Sequence, residues 1–262
     1  MQYFDSHAHY DDERFAELAG GADSLLTRLF ATDVCGIVNT AASPDSFSRI
    51  IAQAARYPHM YTALGIHPSD AQRLTASLED TLTHLHRVLT DPASKAVALG
   101  EIGLDYHYDD TDREVQKRWF AAQMDLAGQL DLPVVIHDRD AHGDVMDMIR
   151  AFPHVRGVLH SFSGSVEMAK ELVTRGYMIS FSGTLTFKNA HKTVEVARAM
   201  PSESVLIETD CPYLAPHPHR GELNHSGMLA YTCLALADCL SMHPEEAAAL
   251  TVANARRTFR IG

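Results

Sequence analysis

Tyr3-Phe4-Asp5-Ser6-His7-Ala8-His9 is the stretch from which the rest of the chain is read. On a strand, residues i and i+2 point to the same face. His7 and His9 therefore aim both imidazoles at one point, and Asp5 shares their face one step deeper. Two neutral imidazoles on one face suit zinc, manganese, cobalt or nickel. A pair of histidines near a chain start is also an ordinary surface feature, and short motifs have many false matches. Repetition of the pattern separates the two readings.

Seven further short apolar runs follow: Cys35–Ala41, Met60–His67, Ala96–Asp105, Pro133–Arg139, Gly157–Ser163, Tyr177–Gly183 and Ser204–Pro212. Their content of Val, Ile, Leu and aromatics predicts buried parallel strands. The intervening segments have helical spacing. Gln116, Phe120, Gln123 and Leu126 space out one helix face, with Trp119 on its apolar side. Glu167, Glu171 and Arg175 form the polar side of another helix, with Met168 and Leu172 inward. Met228–Cys239 and Pro244–Arg257 read as two closing helices. Eight strands, each followed by helix, predict a (β/α)8 TIM barrel, a single domain over residues 1–262. A doubly wound open sheet is the alternative, but no G-x-G-x-x-G follows the first strand.

Hydrophobic residues make up 46% and charged residues 21% of the 262, as in ordinary globular proteins. The formal net charge of −12 argues against wrapping duplex nucleic acid, which needs many Lys and Arg contacts to phosphate. It leaves open a short nucleic-acid end held in a metal-bearing pocket, where the metal supplies positive charge. Cys35, Cys211, Cys233 and Cys239 are too few and scattered for a disulfide framework, so a reduced, cytoplasmic setting is expected. No signal peptide, membrane span or obligate protein partner is expected, and the chain is read as a monomer.

Most of the expected strands end in a residue able to bind metal or move protons. The first ends in His7 and His9, the third in His67, and the fourth in Glu101 and Asp105, with His107 just beyond. The fifth ends in His137-Asp138-Arg139, the sixth in His160 and the eighth in Glu208-Thr209-Asp210. In a barrel these ends converge on one face. His7, His9, Glu101, His137, His160 and Asp210 are more than one four-coordinate site needs if a position stays open. Two divalent ions account for the excess, with Glu101, from a middle strand, as the shared ligand. No lysine ends the fourth or fifth strand, which argues against a carbamylated lysine bridge.

Asp5-Ser6-His7-Ala8-His9, Gly65-Ile66-His67-Pro68, Gly100-Glu101-Ile102-Gly103-Leu104-Asp105-Tyr106, Leu132-Pro133-Val134-Val135-Ile136-His137, His160-Ser161-Phe162-Ser163-Gly164 and Glu208-Thr209-Asp210-Cys211-Pro212-Tyr213-Leu214 together resemble the TatD family of metal-dependent deoxyribonucleases. The resemblance spans essentially the whole chain, with six motifs in order. It implies metal ligands at His7, His9, Glu101, His137, His160 and Asp210, the set already suggested by position. It also implies hydrolysis of phosphodiesters at DNA ends. The sequence departs from the family pattern at Ser161, where cysteine is frequent, at Cys211, where alanine is common, and after Gly221. There Glu222-Leu223-Asn224-His225 lacks the usual basic residue and proline.

His67, Asp105, Arg139, Lys188 and Arg220 are the candidate substrate contacts. Each has a plainer alternative: a strand-ending histidine, a loop cap, a salt bridge, or solvated charges. Asp5 and Glu208 are expected to orient ligating imidazoles. Cys211 has no feature of an activated nucleophile. The expected function is a metal-dependent 3′-to-5′ exodeoxyribonuclease acting through a water activated by two ions (zinc, manganese or magnesium). Asp210 and Glu101 are its catalytic carboxylates, and DNA ends or short single strands its substrate. An amide, ester or lactone hydrolase on the same barrel is the enzymatic alternative, and a non-catalytic metal-binding protein the other.

Overall fold

Strands that are covered on both faces read as mostly apolar runs, not as alternating ones. Tyr3–Ala8 (β1) is buried at all six residues, and Val34–Thr40 (β2) at all but Cys35. The computed structural model describes residues 1–74, 76–108 and 110–262. Among these, the remaining strands are Met60–Leu64 (β3), Ala96–Asp105 (β4), Val134–Arg139 (β5), Gly157–Leu159 (β6), Met178–Phe181 (β7) and Val205–Ile207 (β8). The helices are Gly21–Phe30 (α1), Pro44–Ala54 (α2), Pro68–Ala71 (α3), Leu78–Thr90 (α4), Arg113–Leu130 (α5), His142–Ala151 (α6), Val166–Thr174 (α7), His191–Ala199 (α8), Leu229–Leu240 (α9) and Pro244–Thr258 (α10). One eight-stranded sheet runs in chain order from β1 to β8. With a helix after every strand, this is the topology of a (β/α)8 TIM barrel.

Two compact units make up the chain. Residues 1–39 and 160–262 form the first. Its core joins Phe4, Ile37, Phe181, Leu206 and Leu236, and Phe4 stacks on Phe259, just past α10, at 6.4 Å. A parallel bridge from Ala8 to Cys211 ties the end of β1 to the chain beyond β8. Residues 40–159 form the second unit, with Ile50, Leu64, Leu99, Phe120, Ile136 and Ile149 inside.

The 18-residue α5 belongs to this second unit. Asp112 caps it, its side chain accepting from Val115 N–H at 3.0 Å. Asp131 closes it in the left-handed conformation. Gln116, Phe120, Gln123 and Leu126 are buried, as their spacing predicts, together with Trp119. The two glutamines are more than face-fillers. Gln123 accepts Ile66 N–H at 2.7 Å and donates to Ile66 O at 3.1 Å. Gln116 accepts Asp105 N–H at 2.9 Å and donates to Asp105 O at 3.1 Å. Each amide thus satisfies both backbone groups of one strand-end residue, as a neighbouring strand would.

Several strands stop sooner than the apolar runs. β3 ends at Leu64, β6 at Leu159 and β8 at Ile207, so His67, His160 and Asp210 lie beyond the ladder. Beyond β6 and β8 the backbone turns out of extended geometry, with Ser161 and Asp210 at positive φ, 40° and 53°. No helix among the described residues is long and apolar enough to cross a membrane.

Gly103 is the position where β4 tolerates nothing larger. Its φ is +139°, it pairs with His137, and an added Cβ would lie 2.0 Å from His137 O. Gly103→Ala is expected to destabilise the chain by at least about 3 kcal/mol, from the clash and the strained backbone together. Urea unfolding measures this, and an unchanged midpoint would contradict it.

Candidate metal centre

Each unit carries its own cluster of histidines and carboxylates. In the first, β1 presents His7, which is fully buried, and His9 follows the strand with its N–H on Cys211 O at 2.8 Å. Their Nε2 atoms are 2.9 Å apart. Asp210 Oδ1 is 3.6 Å from His7 Nε2 and 3.5 Å from His9 Nε2. His160 stacks on His7 with ring centroids 4.1 Å apart, and one ligand atom each from His7, His160 and Asp210 falls within 4.8 Å of the others.

These spacings test the fit of a metal ion. Ligands about 2.0–2.1 Å from a tetrahedral ion are about 3.3 Å from one another, and octahedral neighbours are about 3 Å apart. The Nε2, Nε2 and Oδ1 separations bracket both values. Two imidazoles and a carboxylate this close fit a divalent cation.

The supports of this cluster differ from one carboxylate to the other. Glu208 Oε1 accepts Ser161 N–H at 2.7 Å and lies 3.4 Å from His160 Nδ1 without a hydrogen bond to it. Asp5 has more partners. Its carboxylate, fully buried, accepts Thr209 N–H at 2.9 Å, Thr209 Oγ1–H at 2.6 Å and Ser226 Oγ–H at 2.7 Å. It also accepts the His7 backbone N–H, at 3.4 Å. Asp5 therefore fixes the backbone on either side of the cluster. Burial, the larger influence, outweighs these hydrogen bonds and pushes its pKa up to about 7. Asp210 goes the other way. Burial would raise it, but the His9 hydrogen bond and the neighbouring imidazoles outweigh that and hold it below the usual carboxylate range.

In the second unit, Glu101 and His137 stand on β4 and β5. His137 lies between two carboxylates, with Nδ1 2.8 Å from Glu101 Oε1 and Nε2 3.3 Å from Asp105 Oδ2. His67 joins them, its Nε2 3.6 Å from Glu101 Oε1 and its ring edge-on to that of His137. Ligand atoms of His67, Glu101 and His137 lie within 4.8 Å of one another. Asp105 is buried and also accepts His107 N–H at 3.0 Å. Burial would raise its pKa, but hydrogen bonds from His137 and His107 and the charge of Arg139 prevail and lower it. Asp105 thus caps its loop and holds His137 at once.

Arg139 is exposed, its guanidinium 5.7 Å from the Tyr108 ring. Arg220 lies over Phe187 at 3.7 Å. Lys188 lines a shallow cavity with Phe187, His191 and Arg198. In the loop after β8, Glu222 pairs with His219 at 3.0 Å. Asn224 is buried there and donates to Thr209 O and Tyr213 O at 2.8 and 2.6 Å. Cys211 is buried and burial drives its thiol pKa up, which excludes a ready thiolate.

The residues that sequence reading missed are the supporting ones: Thr209, Ser226 and Asn224 around Asp210, and the clamping roles of Gln116 and Gln123. Thr209 stands between two named carboxylates and could have been suspected. Ser226 has no local signal, being 221 residues from its partner.

The TatD related DNase family model matches residues 4–260. An uncharacterized metal-dependent hydrolase, YabD of Bacillus subtilis, is 37% identical over 260 residues, covering 98% of this chain and 99% of its own. The TatD hydrolase of Mycobacterium tuberculosis, also uncharacterized, is 37% identical over 265 residues, with 98% of each chain covered. Among solved structures, the TatD homologue YjjV of Escherichia coli K12 superposes with a TM-score of 0.91 at 31% identity, covering 99% of this chain and 98% of that one. Matched from end to end and carrying histidine–carboxylate clusters that fit divalent ions, the chain belongs to the TatD-related DNase family of metal-dependent hydrolases.

Proposed function

We propose that this chain hydrolyses phosphodiester bonds at DNA ends as a 3′-to-5′ exodeoxyribonuclease, its residues 1–262 working as one barrel domain. The observation that carries the reading is the pair of histidine–carboxylate clusters at the strand ends. His7, His9, His160 and Asp210 would hold one divalent ion, and Glu101 and His137 a second. When bound, the ions supply Lewis acidity to the phosphoryl group and to the attacking water. Asp210, kept ionised by its imidazole neighbours, is available at neutral pH to accept the proton of the nucleophile. Asp105 holds His137, so that ring need not reorient during the reaction.

The aromatic–arginine pairs support a nucleic-acid substrate over an amide, ester or lactone. Tyr213, three residues past Asp210, is half exposed with the Arg14 guanidinium 4.0 Å from its ring centroid. Arg220 on Phe187 and Arg139 near Tyr108 repeat the arrangement. Rings accept unpaired bases by stacking, and guanidinium groups attract phosphate. With a net charge of −12 and few such pairs, the grip covers only the last few nucleotides of a single strand.

Metal analysis coupled to cleavage of end-labelled single-stranded DNA tests the reading. About two ions per chain, 3′-to-5′ shortening with Mg²⁺, Mn²⁺ or Zn²⁺, and a shallow salt dependence are expected. Turnover of amides or lactones with inert DNA would favour the alternative hydrolase. Bound metal without turnover of any substrate would favour a non-catalytic protein.

A further inference from the structure

We infer that the shallow cavity between the loop after β7 and α8 is a nucleotide subsite: Phe187 stacks one base of a single-stranded substrate, and Lys188 and Arg198 hold an adjoining phosphate. The cavity measures about 340 Å³, at the small end of the roughly 300–1,000 Å³ of ligand pockets. Phe187 and Val194 give it a half-buried, apolar wall, and Lys188, His191, Glu195 and Arg198 an exposed polar rim. The charges on that rim are unlike those elsewhere in a chain of net charge −12. Several guanidinium groups are matched to carboxylates: Arg14 to Asp12, Arg150 to Asp147, Arg156 to Asp131 and Arg175 to Glu171, each within 3.0 Å. The side chains of Lys188 and Arg198 make no hydrogen bond or ion pair among the described residues, although Glu195 lines the same cavity. Two unpaired cations against one carboxylate leave a surplus that an anion would neutralise.

The aromatic wall is fixed, and it stands at the same end of the sheet as Asp210. β7 pairs with β8 in parallel, with Phe181 opposite Ile207. Phe187 follows the end of β7 and Asp210 the end of β8, so both leave neighbouring strands at the same end. Two fastenings join their loops. His217 N–H donates to Thr186 Oγ1 at 2.7 Å, and Gly183 packs so closely on Leu214 O that a Cβ would have no room. Arg220, from the loop after β8, lies over the Phe187 ring at 3.7 Å. A ring held in advance loses little freedom when a base stacks on it, and every base offers a π face to such a ring. A nucleotide combines a planar ring and a phosphate within this volume. The assignment rests on the phosphodiester reading above and deepens it: the subsite holds a nucleotide of the strand whose end reaches Asp210.

Fluorescence anisotropy of a labelled, cleavage-resistant phosphorothioate oligomer of thymidine, measured on the full chain with magnesium, reads the subsite apart from turnover. Lys188→Ala and Arg198→Ala should each lower the salt slope of binding by about 0.7, the value of one phosphate contact on a single strand, at unchanged Tm. Phe187→Leu should weaken binding about 5–150-fold, the loss of one stacked base, and Phe187→Tyr should bind like the parent. Glu195→Gln removes the carboxylate from the cavity and should tighten binding about 2–5-fold. An unchanged salt slope in both alanine variants, or Glu195→Gln binding no tighter than the parent, overturns the proposal. Thymidine 5′-monophosphate and inorganic phosphate as competitors separate the base from the anion. The nucleotide should displace the oligomer at lower concentration than phosphate does, and Phe187→Leu should erase that advantage. Equal potency of the two in the parent would leave no base on Phe187 and overturn the proposal. A chain that binds strands through this cavity but cleaves no phosphodiester retains the subsite and rejects the proposed activity. Cleavage of DNA ends with parental oligomer affinity in all these variants rejects the subsite and retains the activity.

Discussion

Asp210→Asn is expected to lower kcat on single-stranded DNA ends by at least about 10³-fold, with reduced metal content and nearly unchanged Tm. Oδ1 of Asp210 is the anionic atom facing both His7 Nε2 and His9 Nε2, at 3.6 and 3.5 Å. An amide there is neutral, so it is a weaker metal ligand and no proton acceptor. Loss of a general base alone removes about 10²–10⁴ in rate, and a weakened metal site adds to that. The fold should tolerate the change. Asp210 sits at φ 53°, a conformation asparagine accepts better than most residues. Activity, bound metal measured by atomic absorption, and Tm together decide the matter. Full turnover with two ions retained would remove Asp210 from the mechanism.

Asp5→Ala should have the largest effect on stability. It strips the acceptor from Thr209 N–H, Thr209 Oγ1–H and Ser226 Oγ–H, all buried. Unsatisfied buried donors cost about 1–3 kcal/mol each, so a loss of roughly 3–5 kcal/mol is expected, or about 10 °C in Tm for a chain of this size. The pH dependence identifies the cause. Burial raises the folded pKa of Asp5 from 3.8 to about 7, so between these values the folded protein binds the extra proton. The stability contributed by this group is complete below about pH 4 and is lost as pH rises through about 7. Asp5→Asn keeps the shape and cannot titrate. At saturating metal its stability should lose that falling limb, so the difference between variant and parent should grow in the variant's favour from pH 5 to pH 8. Parallel stability curves for the two proteins would show that Asp5 does not titrate in the native state over this range.

Much of the fold was legible because strands buried on both faces read as mostly apolar runs. The runs at Tyr3, Cys35 and Ala96 match β1, β2 and β4 to within one residue at either end. The histidines and carboxylates of the two clusters were legible for a similar reason: few side chains can bind a divalent ion, and they stood at strand ends. The strand limits at Leu64, Leu159 and Ile207 were not, since side-chain type does not record where a backbone turns to positive φ or leaves a ladder.

What the sequence determined by itself was the kind of chemistry: which residues could hold metal, on what scaffold, in what order. What only the tertiary structure decided was how each is held. Asp5 and Glu208 look alike as carboxylates near ligands, yet one accepts from a backbone N–H and two hydroxyls and the other from the Ser161 N–H. Gln116 and Gln123 read as one face of a helix and turn out to clamp Asp105 and Ile66. His67 could be a ligand by type, and it also caps α3 by accepting the Ser69 N–H. The physical reason is range. Coordinating ability resides in a side chain's own atoms, whereas a hydrogen-bond partner is chosen by proximity, which for Asp5 and Ser226, 221 positions apart, is created only by folding.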